Sequence, residues 1–377
     1  MTIRIFSNDP LCWLVAALIF FLLLTGCQPQ MPPLPAAPAE AAIPVAILLP
    51  TSGELATFGQ QLRNGMQLAF DEAGQPVEPT VFAADCTFAG GQKAARLALA
   101  QGHTLLLGPL CSEAAIAAAI EADAAGALLI APAAPHPLVT QNSAGRTRPT
   151  VFRVCDTAGW QGQLAARFAG TSLQRAAIIT SGPDSYATGL ANAFEQAFAG
   201  EIVFRQNFSP GQTDPADLIS AAQQAGAELV YLPTAPLPAN QLGPSVLNHG
   251  LNLLGSDRWD SPELDRAALQ GSSFPLQFNA EATQPEVHQF VERYKSVYAV
   301  TPDTLAALGY DAANLLLQAV ARAGSPQPDA VSKILETGTF PGVTGVISFD
   351  QAHNPRKSIT FGQIVDGQLR PLTTLQP

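Results

Sequence analysis

From Ile43 onward, apolar runs of five to seven residues alternate with longer stretches whose apolar positions recur every three to four residues. Residues 45–49 read as a buried strand. Phe58, Leu62, Met66 and Phe70 then fall four apart, which predicts one apolar helix face. Strand 80–85, helix 91–101, strand 104–108, helix 113–125 and strand 127–131 follow. Residues 150–154 come after a polar, proline-bearing loop and read as a crossover that opens a second series. That series runs through helix 159–169, strand 175–180, helix 186–199, strand 201–206, helix 214–225 and strands 228–232 and 251–254. Pro233, Pro236, Pro238 and Pro244 predict an irregular connection over 233–250. Strand 274–278, helices 285–299 and 303–323, and closing strands 346–349, 359–365 and 368–372 complete the pattern. Repeated βαβ units require parallel sheets with helices on both faces. The predicted fold class is α/β, with two similar doubly wound parallel-sheet lobes.

The first residues follow a different pattern. Residues 11–24 form an uninterrupted apolar run of fourteen, with Arg4 before it. About 20 residues are needed to span a bilayer, so this length suits the core of a signal peptide better. The run ends in Leu24, Thr25, Gly26 and Cys27, which resembles a bacterial lipoprotein box and implies cleavage before Cys27 and lipid attachment there. The alternative is an ordinary secretory signal or an uncleaved anchor with Cys27 incidental. Residues 27–42 are rich in proline and alanine and predict an extended tether. About fifteen such residues at ~3.1 Å each reach roughly 45 Å.

Composition narrows the function. The chain of 377 residues carries a net charge of −11. That acidic balance argues against nucleic acid or an anionic membrane surface as a main partner. Five cysteines are present. Cys12 lies in the apolar core and Cys27 at its end. Cys86 and Cys111 each follow a strand-like run, and adjacent parallel strands would bring those ends together, so a Cys86–Cys111 disulfide is predicted, in keeping with export. Cys155 is left as a small buried residue. No CxxC occurs, and zinc, other metals and cofactors are not expected. The five histidines (His103, His136, His249, His288 and His353) are scattered, and no HExxH, GxSxG or GxxxxGK[ST] motif occurs, so no enzyme is predicted.

Open α/β sheets bind ligands outside the carboxyl ends of their strands. Thr51, Ser52 and Gly53 follow the first predicted strand, Ser112 the third, and Ala133 and Ala134 the fourth. In the second series Asp184 and Tyr186 follow strand 175–180, and Ser256 and Asp257 follow strand 251–254. Ser112 and the amides behind it would face an anion at a helix start; alternatively Ser112 is only a helix cap. Asp257 would accept from a ligand ammonium, or else is a solvated turn residue. Tyr186 would cover a ligand or cap a core.

These segments in their order resemble type I periplasmic solute-binding proteins, in the leucine/isoleucine/valine-binding branch of ABC transporter receptors. The resemblance covers about 43–377. It is carried by 45–53 (VAILLPTSG), 107–112 (LGPLCS), 130–134 (IAPAA), 186–190 (YATGL), 254–257 (LGSD), and 341–345 (PGVTG) with Phe349 and Asp350. It implies lobes of 43–150 plus 276–360 and 151–275 plus 361–377. A three-strand hinge would join them near 150–152, 273–276 and 360–362. It also implies a Cys86–Cys111 disulfide. Ser112 would bind a ligand carboxylate, Ala133 would offer its carbonyl to an ammonium, Asp257 would be the acidic partner, and Tyr186 would close over the site. Phe58 falls where the family often has an aromatic, but the helix face above makes it equally a core residue. Pro135 stands where the family usually has a threonine or serine, and has neither hydroxyl nor N–H. The implied partners are a small amino acid-like ligand, a membrane ABC permease, and the membrane itself through the lipid, with the body outside the cytoplasm. The rival is an envelope lipoprotein that uses the same fold to bind a protein partner, motivated by Pro135.

Overall fold

The computed structural model describes residues 42–376. The apolar leader, Cys12, Cys27 and the tether up to Ala41 lie outside the described residues. The first sheet contains β1 (Ile43–Leu49), β2 (Val77–Ala83), β3 (Leu105–Leu107), β4 (Leu128–Ala131) and β5 (Val151–Arg153). Their order is β2-β1-β3-β4-β5, all parallel. Helices α1 (Ala56–Asp71), α2 (Phe88–Ala100) and α3 (Ser112–Ala125) connect the first four strands. The strands are apolar throughout because helices cover both faces. Val45, Ile47 and Leu49 join Leu62 and Met66 on one side, while Ala46 and Leu48 join Ala95 and Ala118 on the other. Residues 151–153 pair with β4, so they are the last strand of this sheet rather than the start of the second series.

The second series holds α4 (Ala158–Ala169), β6 (Arg175–Ser181), α5 (Ser185–Ala197), β7 (Glu201–Phe208), α6 (Pro215–Gln224), β8 (Leu229–Tyr231), α7 (Pro236–Asn248), β9 (Asn252–Leu254) and β10 (Ser273–Leu276). Its parallel strands run β10-β9-β8-β6-β7, the winding order of the first sheet read from the other end. The chain then builds α8 (Pro285–Tyr298), α9 (Thr304–Ala323), α10 (Pro328–Thr337) and a small antiparallel ribbon of β11 (Ser348–Phe349) with β12 (Pro355–Arg356). It returns as β13 (Ile359–Val365) and β14 (Gln368–Leu375), which add antiparallel strands beyond β10 and make this sheet mixed. Of the strand expected at 346–349 only Ser348 and Phe349 pair, and Val346 is exposed.

The expected irregular connection over 233–250 is instead helix α7. Pro236 occupies its first position and Pro238 its first turn, where amide N–H groups lack intrahelical partners in any case. Only Pro244 lies inside the helix. Ala239, Leu242, Gly243 and Val246 are buried at helical spacing, and that packing outweighs one missing hydrogen bond. Helix α10 also went unpredicted, although Pro328 starts it and Val331 and Leu335 form its buried stripe.

Cys86 and Cys111 form a disulfide with Cα atoms 5.2 Å apart. Strand adjacency is not the cause, since β1 lies between β2 and β3. Cys86 precedes Thr87, the cap of α2, and Cys111 is itself the cap residue of α3. The two helices pack so closely that a Cβ on Gly91 would lie 2.2 Å from the Ala114 carbonyl oxygen.

Helix α9 crosses back to cover the first sheet and meets α1 at two glycines. A Cβ on Gly65 would lie 1.9 Å from the Ala306 carbonyl oxygen, and one on Gly309 would lie 2.2 Å from that of Leu62. In a free helix Gly→Ala is favourable by roughly 1 kcal/mol. Here Gly65→Ala and Gly309→Ala are each expected to lower stability by at least ~2 kcal/mol, because the helices must separate. Urea denaturation of both variants checks this; a neutral or stabilising effect would show that the close crossing is not required.

Candidate functional site

In each sheet the winding order reverses beside its founding strand, so the loops leaving the two strands there diverge and open a crevice at the carboxyl edge. In the first sheet those strands are β1 and β3, and in the second β6 and β8. Ser52 lies on the loop after β1 and is exposed. Ser112 is half-buried as the first helical residue of α3. The cap position belongs to Cys111, with no side-chain cap bond, so capping is not the role of Ser112. Ala133 is half-buried and packs against the first core. Pro135 is half-buried two residues further on.

The second sheet assembles its residues more tightly. Asp184 caps α5, with Oδ1 accepting from the amides of Tyr186 and Ala187 at 3.0 and 3.1 Å. Its other oxygen pairs with Arg258, whose guanidinium lies 4.7 Å from the centre of the Tyr186 ring. With its backbone and ring thus held, Tyr186 donates its hydroxyl to Asp257 Oδ1 at 3.0 Å. Gln277 donates Nε2 to Asp257 Oδ2 at 2.6 Å. The low-dielectric surroundings first, and the Asp257 carboxylate second, hold the Tyr186 phenol well above its ordinary pKa. Asp257 opens a short turn behind Gly255, where any Cβ would enter the Trp259 ring at 2.2 Å. The Trp259 indole is anchored on the Thr234 carbonyl at 3.1 Å.

Phe58 does not join the core face of α1; it is 44% exposed, while Leu62, Met66 and Phe70 are buried. It lines a cavity of about 810 Å³ whose other walls include Asp260, Ser261, Phe278 and Thr304. Asp260 ends the turn that begins at Asp257, and Thr304 reaches it across the crevice at 3.2 Å. Gln277 also lines a smaller cavity of about 210 Å³ with Thr344, Ser358 and Thr360. Among the described residues no hydrogen bond joins Ser112 or Ala133 to Tyr186 or Asp257.

Buried charges gather where the chain passes between the sheets. Arg153, on β5, donates to the Ala134 carbonyl at 2.8 Å and the Thr140 hydroxyl at 3.0 Å, fixing the loop that holds Ala133 and Pro135. Burial lowers its guanidinium to about 10. Burial pushes the Cys155 thiol up to about 12, which leaves it an inert core residue. Asp311 of α9 accepts from the amides of Val343 and Thr344 and from the Thr344 hydroxyl, and Lys357 Nζ donates to that hydroxyl at 3.0 Å. Asp156 is 1% exposed, with neither carboxylate oxygen hydrogen-bonded. Asp156, Gln277, Thr234 and Lys357 were not singled out from the sequence. Only Asp156 carried a signal, a charge immediately behind an apolar strand. His136 accepts from the Leu138 amide through Nδ1, so it serves its own turn. Among the described residues no group of three His, Cys, Asp or Glu could hold a metal, and no helix is long and apolar enough to cross a membrane.

Two like-wound sheets, joined by several chain passages and with polar residues at the carboxyl ends of their strands, are the architecture of a two-lobed solute-binding protein. The family model described as periplasmic binding protein matches residues 42–368, and the chain belongs to that family. The chain is 25% identical over 332 residues to the Leu/Ile/Val-binding protein BraC3 of Rhizobium johnstonii, covering 83% of this chain and 89% of that one. It is 28% identical to the crystal structure of the leucine binding protein LivK from Thermotoga maritima, with TM-score 0.72 and coverage of 89% and 99%. The fold is also that of LivJ from Streptococcus pneumoniae in complex with isoleucine, at 23% identity, TM-score 0.72 and coverage of 89% and 100%. Family and neighbours are solute-binding proteins, not enzymes.

Burial raises the Asp156 carboxyl to about 6 against the pull of Lys357, with Asp257 adding to the rise. The unfolded value is ~3.9. The folded chain therefore holds this proton more tightly, and ionised Asp156 costs stability above pH 6, about 3 kcal/mol, a cost that fades toward pH 4. Asp156→Asn is expected to be the more stable protein at pH 7–8, with its advantage shrinking through pH 6 to 4. Urea titrations across that range check the sign.

Proposed function

We propose that this protein is the extracytoplasmic receptor of an ABC transporter, holding a small polar ligand of amino acid type between its two halves. The observation that carries the reading is the Asp257 carboxylate, oriented by Tyr186 and Gln277 beyond the carboxyl end of β9. Membership of the family, whose members are periplasmic, supports a body outside the cytoplasm. The relatives' names, Leu/Ile/Val-binding and leucine binding, support an amino acid as ligand class.

In this reading Asp257 receives the ligand ammonium together with the Ala133 carbonyl. Ser112 and the first amides of α3 receive its anionic end. Tyr186 covers it, with Phe58 and Ser52 at the rim. The lobes are the first sheet with its covering helices, about 43–153 with 277–358, and the second sheet with its own, about 154–276 with 359–377. They turn about the passages that follow β5, follow β10 and precede β13, and the ligand shifts them toward the closed form that a permease reads. Residues 1–26 are a cleaved signal, and Cys27 carries a lipid that holds the body on its proline-rich tether of 27–42. The disposition of polar residues at both carboxyl edges supports this arrangement.

Calorimetric titration with amino acids, their amides and small organic acids tests the reading. A ligand is expected to bind, and Asp257→Ala is expected to weaken it by about 100-fold, the scale of a lost charge-assisted contact. Failure of every compound with a well-folded sample sinks the receptor assignment. Mass spectrometry of the membrane-extracted protein tests the anchor: an N-terminus beginning at an acylated Cys27 is expected, and an unmodified Cys27 removes it.

A further inference from the structure

Few side chains reach from one lobe to the other. Among the described residues no ion pair crosses between them. Trp160 Nε1 donates to the Lys357 carbonyl at 3.3 Å, and Gln277 donates to Asp257 at 2.6 Å. Lys357 lies just before β13 and Gln277 directly after β10, so each of these bonds involves a residue of a chain passage. One further side-chain bond crosses, and it involves no passage residue. Thr304, the first residue of α9, donates its hydroxyl to Asp260 Oδ2 at 3.2 Å.

Both ends of that bond are set in advance. Asp303 caps α9 by accepting from the Ala306 amide at 2.8 Å, which fixes Thr304 in the first turn. Asp260 Oδ1 faces Arg266 at 3.4 Å, which leaves Oδ2 to Thr304. Asp260 also closes the turn that Asp257 opens, since its amide bonds the Asp257 carbonyl at 3.1 Å. Trp259 between them is fully buried and anchored on Thr234, so the whole turn belongs rigidly to the second lobe.

Thr304 and Asp260 both line the cavity of about 810 Å³, with Phe58 and Gln61 on the first lobe's wall and Ser261 and Leu264 on the second's. The Asp260 side chain is 30% exposed, so water can take the place of Thr304 when the bond breaks. Such a bond is reversible. It favours the arrangement in which it is made by its own net contribution and no more.

We propose, on the basis of the receptor reading above, that Thr304 and Asp260 form a latch between the lobes. The bond is made in the closed form and lost in the open one, and it holds part of the solute-free protein closed. Because Asp257 and Asp260 end the same turn, the latch presents the Asp257 carboxylate to the first lobe before any solute arrives. Thr304 and Asp260 are thus positioning residues and need no contact with the ligand.

The full chain in mild detergent, dialysed free of solutes, tests this by single-molecule energy transfer. Donor and acceptor dyes are coupled to bioorthogonal side chains placed at positions 93 and 206. Lys93 and Gln206 are exposed, on α2 and on edge strand β7. β7 and the strand before α2, β2, are the sheet edges away from the passages. Two populations are expected, and Thr304→Val is expected to lower the ratio of closed to open molecules at least threefold. Thr304→Ser, which keeps the donor, is expected to retain the parent ratio. Asp260→Ala removes the acceptor from the other side and is expected to match Thr304→Val; it carries the test if that variant does not melt as a folded protein. A single population in the parent, a ratio that neither folded variant moves, or a Thr304→Ser that behaves like Thr304→Val overturns the latch. No solute is added, so these outcomes leave the receptor reading to be judged by the calorimetric screen alone.

Discussion

The order in which each sheet is wound constrains everything else. A parallel strand followed by a right-handed crossover can continue to only one side, so a sheet that grows both ways must reverse beside its first strand. At that reversal two loops diverge and leave space at the carboxyl edge. The chain solves this problem twice, with β1 and β3 and again with β6 and β8. Polar side chains can stand at those edges because the strands beneath them are apolar on both faces and need nothing from the loops. Ser112, Asp184, Tyr186 and Thr234 are placed by this one rule, and Asp257 follows β9, one strand further on.

Within that frame the site is held by helix and loop chemistry rather than by the sheet itself. Asp184 does three things at once: it caps α5, aims Tyr186 through the backbone, and holds Arg258 above the ring. Gly255 and Trp259 set the turn that presents Asp257. The charges between the sheets follow another logic. Asp311 and Lys357 share Thr344 and so form a satisfied network, which fixes the 341–345 loop. Asp156 has no such partner, and local rules that fail at one buried position commonly mark function.

Most of the fold was legible in the sequence because fully covered parallel strands are continuous apolar runs. Val45 to Leu49 and Leu128 to Ala131 read correctly for that reason. Helix α7 is not legible that way, because proline is a breaker only in a helix interior and Pro236 and Pro238 stand in the first turn. Phe58 shows the limit of periodicity: it has the spacing of the core face yet stands 44% exposed in the first turn of α1. Tyr186 and Asp257 could be nominated from strand ends. Gln277 meets Asp257 and Lys357 meets Thr344 only through tertiary packing, and no local pattern reports that.

The bond between Cys86 and Cys111 pins the starts of α2 and α3 to one another. The amides at the head of α3 therefore cannot adjust individually. In the proposed reading, in which a ligand's anionic end meets them, little conformational freedom remains to be lost on capture. In a reducing compartment that clamp would be slack, which makes oxidative maturation of the envelope a precondition for a stiff receptor.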